Sequence, residues 1–549
     1  MRITRRELLL AIAARRATSA PLSSSDLEAV ALNNNAASVE AYLRSQNTDQ
    51  TSRWYGGFPD AHGLYHGAIA MAVFDPLIAA MVHPKSKFFR SADVFRHLKL
   101  AGVFLDRHTS PDGNVQNPET NFNSAPDTSF GARAMATGVR LAQLRGEREV
   151  LSWALPHLKR AGRAMAKGGL HTPNHRWIMC SSLAQIHEIA PDPSYLNRID
   201  AWLREGIDID EDGQYIERST GTYNVIVNSS LVLLADKLKR WDLLNPVRRN
   251  LEAVLQLMDT GGDLLTDIST RQDQFTRANI ASYWFALHYL ALRDNNPVYA
   301  GLALPHVRSH MTLSDAMTWP DFLRTDLVTK PPTDNYTRHF ARMGVTRIRR
   351  GEMSGTILSA GNSRFFQFRN EEAVVNSVRF ASGFFGKGQF RPSAFARSRD
   401  GYALTQELTA PYYQPLDRDV GMRFQETRPM RATSEICRLT QRARIVEKPD
   451  GFDVELTASG TDEVPVTVEV NLREGGVLDG ADPTGDGAWF LKKEAAVYRV
   501  GASRLQFGPG RHEHSWTAVR GADPRLPGGA TLYLTGFTPF AHTLRFRKA

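Results

Sequence analysis

The sequence predicts a multidomain α+β chain, an N-terminal incomplete (α/α) toroid followed by a C-terminal antiparallel β-sandwich, and three observations carry that prediction. Apolar residues recur at helical spacing from Ser25 to about Asn295. The segment 319–336, containing Pro320, Pro331 and Pro332, interrupts the pattern as a linker. Beyond it the period becomes two. At 549 residues the chain is too long for one compact core. The expected division is a leader over 1–24, a toroidal catalytic domain over 25–330 and a sandwich over 331–549.

In the leader, Arg5-Arg6 precedes the apolar run 8–14 and the small residues 17–20, resembling a twin-arginine export signal and so a periplasmic or secreted protein. Arg15 and Arg16 interrupt that pattern, and a basic or disordered leader is the alternative. Strongly apolar helices are expected over 64–81, 127–144, 173–189, 223–238 and 278–292. Shorter amphipathic ones are expected over 150–166, 195–205 and 246–258. Such alternation describes hairpins with a buried inner ring and a solvated outer ring. Without a short sequence repeat, a ring of hairpins fits better than a stacked solenoid.

In the back half, 345–348, 452–456 and 466–470 alternate as strands do, and Pro465 stands where a strand can begin without losing a ladder bond. Asp-Gly pairs at 400–401 and 450–451 mark turns. Many short strands separated by turns indicate a sandwich.

The formal net charge of +9 comes mostly from arginine, whose planar forks suit carboxylates, sulfates or phosphates; biased genome composition gives the same excess. No basic run, zinc spacing or phosphate loop points to nucleic acid, and no apolar run is long enough to span a bilayer. Cys180 and Cys437 lie far apart, which argues against a disulfide framework or cysteine metal site.

Polar and aromatic residues gather where the inner helices begin. Thr172-Pro173 reads as an N-cap and first helical residue, with Asn174, His175 and Arg176 in the first turn, where free N–H groups and the helix dipole favour an anion. The dipole also disfavours a protonated His175. A second segment, Asp212-Gly213-Gln214-Tyr215-Ile216-Glu217-Arg218, leads through Ser219 and Thr220 to Tyr223 at the start of the next apolar helix. In a ring of hairpins, successive inner helices start at one end, so His175 and Tyr223 are expected at one cleft. The same rim gathers Asn117, Glu119, Asn121 and Asn123, then Trp54, Asp60, Tyr65 and His66, and then Arg271, Gln272, Arg277 and Asn279. Aromatic faces, amides and arginine forks are what a sugar cleft needs. His66 equally satisfies a buried loop, Asn117–Asn123 equally supply turn chemistry, and Asp210 to Asp212 equally form a solvated turn.

At these residues the chain resembles the heparinase II/III-like and alginate-type polysaccharide lyases. The matching features are Asn174-His175, Asp212-Gly213-x-Tyr215, Glu217 and Tyr223, with Gln214 where that family has a small residue. The resemblance implies a toroid and sandwich and β-elimination on an acidic polysaccharide or oligosaccharide; no cofactor is expected, and the residues of the back half offer no convincing zinc-ligand set. It gives Asn174 the substrate carboxylate, His175 an assisting role and Tyr223 the proton transfer, with Tyr215 as rival tyrosine. His339, in Asn335-Tyr336-Thr337-Arg338-His339, is the nearest candidate for a histidine from the back half. Arg176, Tyr215, Glu217, Arg218, Asn117, Asn121, Asn123, Trp54, His66 and Arg277 are the expected substrate-binding set. The C5 proton of a 4-linked uronate lies beside a carboxylate already negative, so pairing that carboxylate with Asn174 and Arg176 stabilises the enolate-like intermediate. Tyrosine titrates near ~10, so a neighbouring cation is required if it serves as base. The rival readings are a hydrolase using carboxylates among Asp60, Glu119, Asp212 and Glu217, and a non-catalytic glycan-binding protein.

Overall fold

The computed structural model describes residues 23–549, so the arginine pair and apolar run of the leader lie outside the described residues. The chain forms two compact units. One comprises the described residues up to Met258 together with Gly262–Pro332; the other comprises Asp259–Gly261 and Thr333–Ala549.

The first unit is a ring of helical hairpins. Its inner helices, Phe74–Val82, Ala125–Leu144, His175–Ile189, Tyr223–Leu238 and Trp284–Asp294, pack each on the next. Leu313–Thr318 packs back on Ser24–Ser45 and Phe74–Val82. The ring arises because inner and outer helices hide different amounts of surface. His175–Ile189 buries side chains around its circumference. The outer helix Arg148–Lys167 buries Val150, Ala154, Leu158, Ala161 and Met165 at steps of three and four, a single apolar stripe.

Some elements differ from the sequence reading. Helix continues past Asn295 through Pro297–Ala303, Val307–His310 and Leu313–Thr318. The expected 64–81 helix starts at Gly67 and is divided at Val73, just before Pro76, whose ring cannot extend an existing helix but is tolerated in a first turn. A small hairpin, Val115–Asn117 with Asn121–Ser124, sits among the helices. The segment 319–336 holds a 3₁₀ turn, Pro320–Leu323, and the first residues of the strand Asn335–Phe340.

The second unit is a sandwich of two sheets. The eight-stranded sheet runs Val477–Asp479, Ala496–Val500, Ser503–Gly508, Phe540–Lys548, Gly451–Gly460, Thr433–Lys448, Gly401–Tyr413 and Ala394–Ser398. The ten-stranded sheet runs Asp482–Gly485, Ala488–Phe490, Thr531–Phe537, Pro465–Leu472, Ala373–Ser382, Phe366–Asn370, Met353–Leu358, Val345–Arg350 and Asn335–Phe340, with Gly388–Gln389 paired to Ala373–Ser382. Neighbours are antiparallel except Ala488–Phe490 beside Thr531–Phe537. The Asp-Gly pairs lie at the expected hairpin turns. Inward residues of both sheets, among them Val378, Phe380, Val468, Phe452, Val454 and Phe546, form one apolar core. No described helix is long and apolar enough to cross a membrane.

Candidate active site

The site is built from two helix starts and the loop that clamps them. The helix after Asn174 begins at His175, two residues later than Thr172-Pro173 implied. Thr172 to Asn174 form a turn instead, with the Thr172 carbonyl accepting from His175 N–H at 3.2 Å. Asn174 is the N-cap, yet its side chain makes no capping bond and is turned to another partner. Tyr223 opens its helix as expected, its N–H donating to Ser219 Oγ at 2.9 Å.

The segment preceding Tyr223 is fixed from both sides. Gly213 takes φ 81°, and a Cβ there would lie 2.7 Å from the Arg249 carbonyl, so glycine is required at the turn. Asn250 donates to the Gly213 carbonyl at 2.9 Å, Asn228 to Asn250 at 2.8 Å and the Tyr215 hydroxyl to Asn228 at 2.8 Å. Asn224 donates to Gln214 Oε1 at 2.8 Å. The Asp-Gly-Gln-Tyr motif is thus an anchor that ties the loop to the Tyr223 and Leu244–Gln256 helices. From the other side, Thr270 N–H and hydroxyl both donate to the Glu217 carbonyl, at 3.1 and 3.0 Å. Gly221 N–H donates to Asp273 at 3.0 Å.

This clamping brings Asn174, Glu217, Arg271 and Tyr223 together. Asn174 Nδ2 donates to the two Glu217 oxygens at 2.9 and 3.1 Å, and its backbone N–H adds a third bond at 3.2 Å. Arg271 Nε lies 3.4 Å from Glu217 Oε1. The same guanidinium sits over the Tyr223 ring, 4.9 Å from its centroid, and Gln272 donates to the Tyr223 hydroxyl. Burial raises the Glu217 carboxyl above its ordinary range, against the bonds from Asn174 and the charge of Arg271.

His175, beside Asn174, stacks edge-on against His171 with centroids 4.9 Å apart. Burial, then His171 and Arg271, push its imidazole down to about 4 against the pull of Asp127, so it is neutral near pH 7. Beside Glu217, the buried acceptor-capable atoms Asn174 Oδ1 and His175 Nδ1 have no hydrogen-bond partner among the described residues. The combination offers a cation, a phenol, a neutral imidazole and unfilled hydrogen-bonding capacity.

Other expected residues have different environments. Arg176 turns to Asp208 at 2.8 Å and Glu205 at 3.4 Å, so its charge is already paired. Tyr215 is buried, and burial holds its hydroxyl well above the usual tyrosine range. Arg218 adopts φ 49° in the clamped loop. Asn117 and Asn121 both donate to Asp127, at 3.2 and 2.9 Å, and Asn123 takes φ 48° at the end of the hairpin. Those three therefore serve local turn and helix-start geometry. Trp54 stacks on Tyr65 at 5.5 Å under the Arg53 guanidinium, and His66 precedes Gly67–Ala72 without a side-chain capping bond, its Nδ1 buried and unpartnered. Arg277 is exposed in the loop after Arg271. His339 belongs to the second unit, where its Nδ1 lies 3.0 Å from Thr346 Oγ1 and its ring stacks on Phe395.

Two of the four carboxylates of the hydrolase reading, Asp60 and Glu217, hold hydrogen-bond partners. Asp60 Oδ1 accepts the His62 and Leu64 N–H groups at 2.8 Å each and Glu217 holds Asn174, while the exposed Glu119 lies 3.8 Å from His62 Nε2. Among the described residues no group of three His, Cys, Asp or Glu side chains is arranged to hold a metal ion. Residue patterns understated Arg271 and Gln272, visible only as polar residues leading into the Tyr283 helix, and gave no role to His171, which lies four residues before His175 in the same approach to the helix.

No protein-family model matches the chain, and no curated protein matches it in sequence. Solved structures do. The chondroitin AC lyase of Streptomyces coelicolor A3, determined in complex with chondroitin sulphate, aligns over 97% of this chain and 80% of its own at 13% identity, with a TM-score of 0.60. A Paenibacillus xanthan lyase aligns over 96% of this chain at 11% identity and a TM-score of 0.60, this chain spanning 58% of its length. The chain shares its fold, a helical toroid followed by a β-sandwich, with these structures.

Proposed function

We propose that the protein is a polysaccharide lyase that cleaves a uronate-containing acidic polysaccharide by β-elimination. The observation that carries this reading is the contact of Arg271 with both Tyr223 and Glu217, beside Asn174 and a neutral His175. Arg271 pairs with the uronate carboxylate in place of Arg176, since no protein hydrogen bond occupies its Nη groups whereas Arg176 is already paired. Asn174, oriented by Glu217, presents its unpartnered Oδ1 to a hydroxyl of the same sugar.

With the carboxylate charge balanced, the C5–H bond breaks to a base, its electron pair forms the C4–C5 double bond, and the C4–O4 bond breaks with its electrons on oxygen. Tyr223 delivers the proton that O4 requires; His175 or the Tyr223 phenolate receives the proton from C5. The cation over the Tyr223 ring favours negative charge developing on its oxygen. The hydrolase alternative lacks support from the geometry because Glu217 and Asp60 are committed to other partners.

Incubation with a panel of uronate polysaccharides tests the proposal. A lyase produces new reducing ends together with the ultraviolet absorbance of an unsaturated uronate. New ends without that absorbance identify a hydrolase, and binding without either signal identifies a glycan-binding protein.

A further inference from the structure

A cavity of about 230 Å³ lies in the second unit and shares no lining residue with the candidate site. It rests on the outer face of the ten-stranded sheet. Val378, Phe380, Val468, Leu532 and Leu534 point into the sandwich core, so the alternating residues Arg379, Glu469 and Tyr533 point away from it. Register sets these three in one row, with Glu469 directly opposite Arg379 on one strand and Tyr533 on the other. Arg379 Nε and Nη2 donate to the Glu469 oxygens at 2.9 and 2.6 Å, and both residues are buried. A buried ion pair gains little over apolar residues of equal volume, because two charges must be desolvated. Its presence beside open space is better explained by recognition than by stability.

The loop over this face is pinned in place. Thr467 donates to the Trp516 carbonyl at 3.0 Å, Asp523 N–H to Gln389 at 2.8 Å, and Arg379 Nη2 to the Pro524 carbonyl at 2.9 Å. Arg391 reaches both Asp523 oxygens at 2.9 Å. Such bonds fix the loop to the sheet around the cavity. They also neutralise both carboxylates that line it, leaving Arg525 as an exposed guanidinium with no ion pair. The Thr517 hydroxyl donates to no protein group, and the Tyr533 hydroxyl reaches Glu469 only at 3.4 Å.

We propose that this cavity is a second, non-catalytic saccharide site that takes one uronate ring, free or at a chain end. Its carboxylate pairs with Arg525, and its hydroxyls meet Thr517, Tyr533 and the remaining lone pairs of Glu469. The volume lies below the roughly 300–1,000 Å³ of drug-sized pockets, which suits a single ring. A neutral sugar leaves Arg525 unpaired, and a carboxylate without hydroxyls leaves the polar row unused.

The test uses the full chain carrying Arg271→Ala, which removes the charge partner of the candidate active site. D-glucuronate and a glucuronate-terminated disaccharide are titrated by ligand-observed NMR. Glucose and cyclohexanecarboxylate serve as controls. Uronate binding should survive Arg271→Ala and weaken about tenfold on adding Arg525→Ala, the loss of one charge-assisted pair. Both controls should bind more weakly. Binding of both uronates assigns chain ends as the ligand, and binding of the monosaccharide alone assigns the free sugar. Loss of uronate binding in Arg271→Ala, indifference to Arg525→Ala, or equal binding of glucose would overturn the proposal. Arg525 is exposed, so its replacement leaves the fold intact, and turnover measured with Arg271 unaltered keeps this result separate from that of the lyase reading.

Discussion

Asn174 Nδ2 stands 2.9 Å from Glu217 Oε2, and that bond decides which way the amide faces. Both residues are buried, and a hydrogen bond to a charged partner in such surroundings contributes about 1.5–3 kcal/mol. Glu217 therefore acts as a positioning residue for both Asn174 and Arg271. Glu217→Ala should lower kcat about 10- to 100-fold with a smaller effect on KM, and Glu217→Gln, which keeps an acceptor, should recover part of the loss. Steady-state kinetics of the two variants, with circular dichroism to verify folding, check this. Equal loss in both would remove the orienting role.

Tyr215 and Tyr223 separate by location. Tyr215 donates to Asn228 in the core, so Tyr215→Phe should reduce stability by about 1–3 kcal/mol through the acceptor left unsatisfied. Its turnover per folded molecule should stay near wild type. Urea unfolding and kinetics on the same preparation measure both effects, and abolished turnover with unchanged stability would transfer the proton role to Tyr215.

His175 also predicts a pH dependence. Its folded value, about 4, lies below the ordinary 6.5, so between these values the unfolded chain binds a proton that the native protein does not. Its contribution is therefore present above about 6.5 and is lost as pH falls toward about 4, amounting to at most about 3 kcal/mol. His175→Gln should flatten the stability slope across that window in urea titrations. An unchanged slope would show that another group sets it.

Asp75 behaves oppositely. Burial raises its carboxyl from 3.8 to about 7 despite a bond from Ser314, with Asp315 adding like charge. The native protein holds this proton more tightly, so stability is fully present below 3.8 and falls as pH rises to about 7. Asp75→Asn should raise stability at pH 8 by about 1–3 kcal/mol and change little at pH 3.5. Thermal melts at both values decide it, and an equal effect at both would assign the change to packing.

The toroid and sandwich were legible because burial leaves a period in the sequence, 3.6 in helices and two in strands. The break at Val73 and the Val115–Asn117 hairpin were not, since each depends on what packs beside it. Polar residues at helix starts mark Asn174, His175 and Tyr223 as candidates. Pairing was harder to foresee, because the residues that join them are distant in sequence. Asn174 meets Glu217 across 43 positions, and Gln272 meets Tyr223 across 49. Nothing local marks Glu205 and Asp208 as the partners that hold Arg176, and nothing local marks Arg271 beyond its place before a helix.

Tyr223→Phe is the most direct test of the proton-transfer account. On a uronate polysaccharide that the wild type cleaves, the variant should give no ultraviolet signal of unsaturated product while binding substrate with affinity within about threefold of wild type, because only a hydroxyl is lost. Wild-type rates of unsaturated product from Tyr223→Phe would contradict it.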